Sequence, residues 1–255
     1  MFRQQKINND NKMIIDIHTH IGKDVSDPKL EKYSKDQLLA DMDKNQIQHS
    51  AVFPFNRPDE DLLKESLRIL ELSKENKKII PFLRFNPNTI TKEELNKLLS
   101  NGFKGVKLHP RAQNFVFNKI EYDWIYKIIE KHNIPLLIHT RAATMDTSDP
   151  AYAIDIAQRF PNLKIIAAHF FGGGLNNDLL NQVAKHKNLY VDTSVYSSIM
   201  EMRRVVRTYD RLIYGSDAPY SDQEVEILKI KKAKLPKKIE DKILFKNALE
   251  VLNLK

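Results

Sequence analysis

Two histidines separated by one residue end the first apolar segment of the chain, IIDIHTH. Side chains alternate across a strand, so residues two apart point in the same direction. The expected strand therefore places Asp16, His18 and His20 on one face, and Ile15 and Ile17 on the other. A histidine pair of this kind is either an ordinary loop feature or half of a metal site, and the rest of the chain has to decide.

Four further groups of the same chemical kind follow later apolar segments. The chain has eight histidines, and the five that directly end such a segment are His18, His20, His109, His139 and His169. The other three precede apolar segments and are interpreted as surface or capping residues. An eighth segment, RLIYGSD, ends at Asp217. Imidazoles and a carboxylate that converge suit Zn, Fe, Mn or Co rather than Ca or Mg.

Apolar segments alternate with amphipathic segments along the whole chain. The strand candidates are 13–18, 50–55, 79–85, 103–109, 134–139, 163–169, 189–194 and 211–217. Eight such βα units in about 250 residues predict an α/β fold of the (β/α)8 TIM barrel type, in a single domain. The alternative is an open doubly wound sheet, which usually carries a glycine-rich phosphate turn after its first strand, and HTHIGK is not one.

A barrel would bring the candidate groups together, because chemistry in this fold gathers at the carboxyl ends of the strands. Alternation places Ala167 on the face of His169 and Gly215 on the face of Asp217. If these faces line the barrel, the groups that ring one point on its axis are His18, His20, His139, His169 and Asp217.

Composition limits the class of protein and its partners. Hydrophobic residues make up 42% and charged residues 29%, no apolar stretch approaches the length of a membrane helix, and there is no cysteine, so a cytoplasmic globular protein is expected. The net charge of +8 is densest in residues 229–246, which we interpret as surface helices. We expect a small-molecule substrate and neither nucleic acid nor membrane as a partner, with a homodimer left open.

The ends of the chain differ from its centre. The first twelve residues are polar and lack the apolar centre of a signal peptide, which predicts a flexible tail over residues 1–12. Residues 13–255 then form the barrel, and the segment 236–252 is expected as an extra C-terminal helix.

Motifs at the strand ends resemble those of the amidohydrolase superfamily. They are HTH after the first strand, IHT after the fifth, AHFFGG after the sixth and GSDAPY after the eighth. GFKGVKLHP at the fourth strand resembles the amidohydrolase-related branch, which contains predicted TIM-barrel metal-dependent hydrolases, aminocarboxymuconate-semialdehyde decarboxylase, resorcylate-type decarboxylases and lactonases. The resemblance covers the chain from Met13 to about Leu254 and is specific for the superfamily, not for a substrate.

The resemblance implies roles for single residues. His18, His20 and His139 would bind a divalent metal ion, with Asp217 as a further ligand or as the group that exchanges a proton with the attacking water. His169 corresponds to a histidine that contacts the water or the substrate in one-metal members. One zinc ion is therefore the expected cofactor.

Lys107 keeps a two-metal alternative open. It shares a face with His109 and lies near the position at which two-metal members carry a carboxylated lysine that bridges the ions. One metal is preferred because KLHP is common in the one-metal branch. Some lactonases of this group retain the histidines and use no metal.

Several polar side chains beyond the metal set are candidates for binding substrate. Arg84, Arg111 and Arg141 follow strand ends, and arginine suits carboxylates. Arg141 is the first choice among them, and His109 is a further candidate contact. Asp16 would either accept a hydrogen bond from a ligand histidine or pair elsewhere in the barrel floor.

The favoured function is a metal-dependent hydrolase acting on a small, carboxylate-bearing ester, lactone or amide. Asp217 would serve as general base and then acid, and His169 would orient the water or stabilise an oxyanion. A non-oxidative decarboxylase is the alternative within the fold, although the short loop after His20 favours the hydrolase. A barrel that has lost activity and serves as a binding protein is the alternative from another class.

Overall fold

Eight short parallel strands form one sheet in which each strand pairs with the next along the chain. The computed structural model describes residues 13–27, 29–141, 147–196 and 198–254. The strands are β1 (Ile15–Ile21), β2 (His49–Pro54), β3 (Ile79–Arg84), β4 (Gly105–Leu108), β5 (Leu136–Ile138), β6 (Ile165–Ala167), β7 (Leu189–Asp192) and β8 (Leu212–Ile213).

The sheet closes through hydrogen bonds between β1 and the segment at β8. The amide of Ile17 donates to the carbonyl of Tyr214 at 3.0 Å, and the amide of Asp217 donates to the carbonyl of His18 at 2.8 Å. Eight parallel strands with alternating helices confirm the predicted (β/α)8 barrel in a single domain.

Helices cover the outside of the sheet. Those between the strands and after β8 are Lys35–Lys44, Asp59–Glu75, Lys92–Ser100, Asp123–Lys131, Ala151–Arg159, Asn177–Ala184, Ile199–Val205 and Gln223–Lys232. Ser34 and Thr91 begin two of them with a capping box, in which the hydroxyl accepts from the amide three residues on. Among the described residues, no helix is long and apolar enough to cross a membrane.

The C-terminal segment packs against the bottom of the barrel. Its helices are Lys237–Asp241 and Asn247–Leu252, joined by a π-helical stretch over Lys242–Lys246, where one helix over 236–252 was expected. Val251 and Leu252 pack with the inner residues Ile15 and Ile213. The predicted tail, residues 1–12, lies outside the described residues.

β1 contains one extra residue relative to its neighbour. Asp16 pairs with Ser50 and Thr19 pairs with Val52, so that two residues of β1 lie opposite one residue of β2. The bulge shifts the alternation of side chains along the strand. Ile15 and Ile17 therefore belong to the inner core, and the prediction that Asp16 shares a face with the two histidines is wrong.

The predicted face of β6 is also wrong, because the inner core contains Ile166 and Ala168 and not Ala167. His169 still reaches the barrel axis because the backbone after the strand is left-handed, with φ of 58° at His169. Asp217 lies four residues beyond the end of β8 and is also left-handed, with φ of 62°. Irregular backbone after the strand therefore positions both side chains.

Candidate metal centre and active site

A cavity of about 730 Å³ opens at the carboxyl ends of the strands. The walls contain all the residues that were predicted as metal ligands, catalytic groups or substrate contacts. These are His18, His20, Arg84, Lys107, His109, Arg111, His139, Arg141, His169 and Asp217. The structure thus brings the whole predicted set to one rim of the barrel.

The densest part of the cavity is a cluster formed by His18, His20 and Asp217. The Oδ1 atom of Asp217 lies 3.1 Å from Nε2 of His18 and 3.1 Å from Nε2 of His20. One ligand atom from each of the three residues lies within 4.8 Å of the others. Two imidazole nitrogens and a carboxylate oxygen are a donor set that suits zinc and other transition metals.

His139 and His169 continue this cluster toward β5 and β6. Nε2 of His169 lies 3.0 Å from Nδ1 of His139, and Nδ1 of His169 lies 3.9 Å from Oδ2 of Asp217. The ring of His139 stacks on that of His109 with centroids 3.8 Å apart. His139 therefore joins the cluster through His169, and its predicted role as a ligand stays a prediction.

Gly215 permits the close approach of strands beneath the cluster. A Cβ atom at this position would lie 3.0 Å from Cβ of His18 and 3.4 Å from Cβ of Asp192. A side chain at this position would therefore require His18 and Asp192 to shift.

Asp192 is a site residue that the sequence reasoning missed. Its Oδ2 lies 2.7 Å from Nδ1 of His18, and its Oδ1 accepts from the amide of His169 at 2.8 Å. The carboxylate also accepts from the hydroxyl of Ser194 at 2.7 Å. Asp192 thus holds the His18 ring and anchors the turn at His169, which is how outer carboxylates orient metal-binding histidines. A partial signal was present, since Asp192 lies near the end of an apolar segment as Asp217 does, but its partner His18 is 174 positions away.

Asp16 does not have this role. Its oxygens accept from the amides of His18 and Ser216 and from the side chain of Gln223. The carboxyl is fully buried, and burial raises its pKa to about 6. Of its two expected roles, the structure supports an acid paired away from the histidine rings.

We expect Asp192→Asn to weaken the binding of a divalent metal ion by about 10- to 100-fold, because an amide no longer stabilises the His18 ring with a full charge. Asp16→Asn is the matched control, since Asp16 is an equally buried acid that contacts the backbone amide of His18 but not its ring. Competition with a chromogenic chelator measures both affinities. An unchanged affinity in Asp192→Asn would contradict the positioning role.

Electrostatics keep most of the imidazoles neutral, which is the form that binds metals. Burial lowers the pKa of His20 and of His169 to about 4, and it lowers the pKa of His109 and of His139 well below the usual value. At His18, burial and a nearby lysine oppose protonation, but Asp217 and Asp192 outweigh them and raise the pKa.

Lys107 and Asp217 complete the charge balance of the cluster. The Nζ atom of Lys107 lies 3.2 Å from Nε2 of His18 and 5.1 Å from the ring centre of Phe53. Burial lowers the pKa of Lys107 to about 7. Burial alone would raise the pKa of Asp217, but His18 and its other neighbours hold it well below the usual range, so the carboxylate stays ionised.

The low pKa of His169 makes the stability of the metal-free protein depend on pH. Between the folded pKa of about 4 and the ordinary 6.5, the unfolded chain binds a proton that the folded chain does not. Acidification from pH 7 to pH 5 therefore destabilises the fold, by about 2 kcal/mol from this residue. We expect the free energy of unfolding of His169→Asn to fall by about 2 kcal/mol less than that of the wild type over this range, as measured by urea unfolding in EDTA. Equal losses would contradict the depressed pKa.

The cationic side chains differ in their depth. Arg84 is buried with an exposed fraction of 1%, whereas Arg111 and Arg141 are exposed at the rim. The amide of Arg141 donates to the carbonyl of Ser148 at 2.9 Å, which fixes its backbone. All three line the cavity, and only Arg84 is removed from water.

The family model for the amidohydrolases matches residues 15–254. The chain belongs to the amidohydrolase family. This confirms the resemblance drawn from the strand-end motifs, and the neighbouring structures are consistent with its amidohydrolase-related branch. No curated protein matches the sequence of this amidohydrolase.

Solved structures share the fold of this amidohydrolase at low sequence identity. The 5-carboxyvanillate decarboxylase of Sphingomonas paucimobilis is 13% identical with a TM-score of 0.75, and the alignment covers 96% of this chain and 100% of that one. A dihydroxybenzoic acid decarboxylase of Polaromonas with bound manganese is 14% identical, with a TM-score of 0.76 and coverage of 95% and 97%. A probable 2-pyrone-4,6-dicarboxylic acid hydrolase of Acinetobacter baumannii is 17% identical, with a TM-score of 0.69 and coverage of 94% and 99%.

Proposed function

We propose that this amidohydrolase is a metal-dependent hydrolase that acts on a small carboxylate-bearing ester, lactone or amide. The observation that carries the proposal is the position of Asp217, whose Oδ1 lies 3.1 Å from Nε2 of both His18 and His20. A hydrolase of this kind needs a cation site and an ionised base at one point, and these three residues supply both.

The residues of the cavity fit one divalent ion, which we propose to be zinc. His18, His20 and His139 with Asp217 would hold it, in agreement with the ligand set that the resemblance implies. When bound, the ion supplies a Lewis acid that polarises a carbonyl and acidifies water. In the two-metal alternative, a carboxylated Lys107 would bridge two ions.

Asp217 and His169 divide the remaining work between them. While Oδ1 of Asp217 faces the two histidines, Oδ2 lies 3.9 Å from Nδ1 of His169 and is the oxygen available to accept a proton from water. A carboxylate held ionised by its neighbours returns that proton to the leaving group. Ser194 fixes the His169 ring, because its hydroxyl lies 2.9 Å from Nδ1, and the neutral ring can then orient the water or the developing oxyanion.

Non-oxidative decarboxylation is the second candidate. Two of the similar structures are decarboxylases, and one of them has bound manganese. The alignment spans the whole of the 5-carboxyvanillate decarboxylase, so the length of the chain does not separate the two reactions. The neutral imidazoles and the buried guanidinium of Arg84 would bind a carboxylate that is lost in the reaction as well as one that only anchors the substrate.

Metal analysis followed by product analysis tests the proposal. The purified protein should contain about one equivalent of zinc or another divalent transition metal. Screening lactones, esters, amides and aromatic carboxylates should then give a hydrolysis product without carbon dioxide. Release of carbon dioxide from an aromatic carboxylate would support the decarboxylase, and a protein with neither metal nor turnover would support the inactive barrel.

The remaining expectations about surroundings stay proposals. We propose a cytoplasmic enzyme with a small molecule as its partner and without a nucleic acid or membrane partner. A homodimer is a further possibility, and light scattering after size exclusion would measure the oligomeric state.

A further inference from the structure

Arg84, the last residue of β3, has a fixed backbone, but part of its side chain has no hydrogen-bond partner. Its backbone is fixed by Ser66, whose hydroxyl donates to the Arg84 carbonyl at 2.9 Å and accepts from its amide at 3.0 Å. In the side chain, Nη1 donates to the carbonyl of Pro54 at 2.9 Å. Among the described residues, neither Nε nor Nη2 has a hydrogen-bond partner, although both are buried.

These two free groups form one edge of the guanidinium. The hydrogens on Nε and Nη2 point in parallel, which is the geometry that receives the two oxygens of a carboxylate. A buried donor without a partner is costly, and a buried charge without one costs more. The fold therefore maintains a two-donor fork whose cost a bound anion would offset.

No protein carboxylate occupies the fork within the described part of the chain, where no Asp or Glu oxygen lies within 4.0 Å of Arg84. Asp24 also lines the cavity, but its oxygens accept hydrogen bonds from Ser26 and from the hydroxyl of Tyr220. Burial lowers the pKa of Arg84 to about 10, so the guanidinium remains charged at neutral pH.

The fork lies next to the candidate metal centre. The carbonyl of Pro54, which accepts from Nη1 of Arg84, also lies 3.4 Å from Nδ1 of His20. One backbone oxygen thus connects the guanidinium to a candidate metal ligand. Arg84 and His20 also line the same cavity, so a group bound in the fork and a group bound by the cluster would belong to one small ligand.

We propose that Nε and Nη2 of Arg84 bind the carboxylate of the substrate, and that this carboxylate lies within a few bonds of the reacting carbon. This assigns the carboxylate to Arg84 rather than to Arg111 and Arg141, which are exposed at the rim and stay candidate contacts. The inference deepens the proposed function and rests on it for the word substrate, but binding in the fork does not require the metal. The substrate class becomes small acids whose carboxylate is close to the ester, lactone or amide bond.

Binding of simple acids to the metal-free protein tests the fork. The probes are acetate and benzoate, with acetamide and benzamide as neutral counterparts, and the readout is the rise of Tm with probe concentration. We expect the acids and not the amides to raise the Tm of the wild type. Arg84→Met should weaken acid binding by about tenfold or more, because two charged hydrogen bonds are lost. Arg68→Met is the matched control and should bind as the wild type does, because Arg68 lies on the helix Asp59–Glu75 and pairs with Glu65 outside the cavity.

A second measurement needs no substitution, in case Arg84→Met fails to fold. In wild-type protein labelled with 15N-arginine, one buried Nε–H resonance should shift on addition of acetate and not of acetamide. Equal binding by Arg84→Met and wild type, an equal loss in Arg68→Met, or binding only after zinc is added would each overturn the proposal. If the protein binds acids but neither metal nor ester, the result supports the carboxylate site at Arg84 and contradicts the proposed hydrolase.

Discussion

Asp217→Asn should lower turnover by about 10²- to 10⁴-fold while most of the metal remains bound. An asparagine still offers an oxygen at the position of Oδ1, which faces both histidines at 3.1 Å. It cannot accept a proton, and general acid–base groups typically contribute a factor of this size. Metal analysis beside steady-state kinetics, with a substrate found by screening, separates the two effects.

The control for this result is His169→Asn, which should also slow turnover with its metal retained. His169 contacts Ser194 and His139 and lies 3.9 Å from Asp217, and the resemblance implies that it lies beside the metal rather than on it. If His169→Asn empties the site, His169 is a ligand and the one-metal interpretation is wrong. Near-normal turnover in Asp217→Asn would assign the proton transfer to another group, and His169 would be the next to test.

His18→Ala should remove most of the bound metal. His18 contacts three charged groups at the centre of the cluster, since Asp192, Asp217 and Lys107 all lie within 3.2 Å of its ring nitrogens. Its loss takes away a ligand and also leaves Asp192 without the partner that it orients. The measurement is metal content after dialysis against a metal-buffered solution.

His139→Ala tests the part of the ligand set that rests on the resemblance. We expect it to lose metal as His18→Ala does. His132→Ala is the matched control and should keep its metal, because His132 caps the helix Asp123–Lys131 and does not line the cavity. Full occupancy in both His18→Ala and His139→Ala would refute the ligand assignment, and two equivalents in the wild type would favour the Lys107 bridge.

The fold followed from the sequence because apolar segments alternate with amphipathic segments along the whole chain. Ser34 and Thr91 cap two of the resulting helices. Strand ends were less predictable. β1 continues to Ile21, and β8 ends at Ile213, well before Asp217, because β propensity does not show where the ladder of hydrogen bonds stops.

The location of the site was predictable, but the orientation of its residues was not. Asp217 and the histidines come to one rim because parallel strands bring their carboxyl ends together. Simple alternation gave the wrong face for Asp16 and for β6. It cannot account for the bulge in β1 or for the left-handed backbone at His169. Asp192 was missed because a single carboxylate in an apolar strand carries no partner in the sequence, and its partner His18 is 174 positions away.

The bulge in β1 makes the local register of that strand as important as the identity of its residues. On one side of it, Ile15 and Ile17 fill the barrel, and on the other side His18 and His20 line the cavity at the same axis. If alternation stayed regular beyond Ile17, both imidazoles would turn toward the surrounding helices, although every reactive side chain would still be encoded. For engineering, β1 is therefore a segment in which the bulge has to be retained while individual residues are varied.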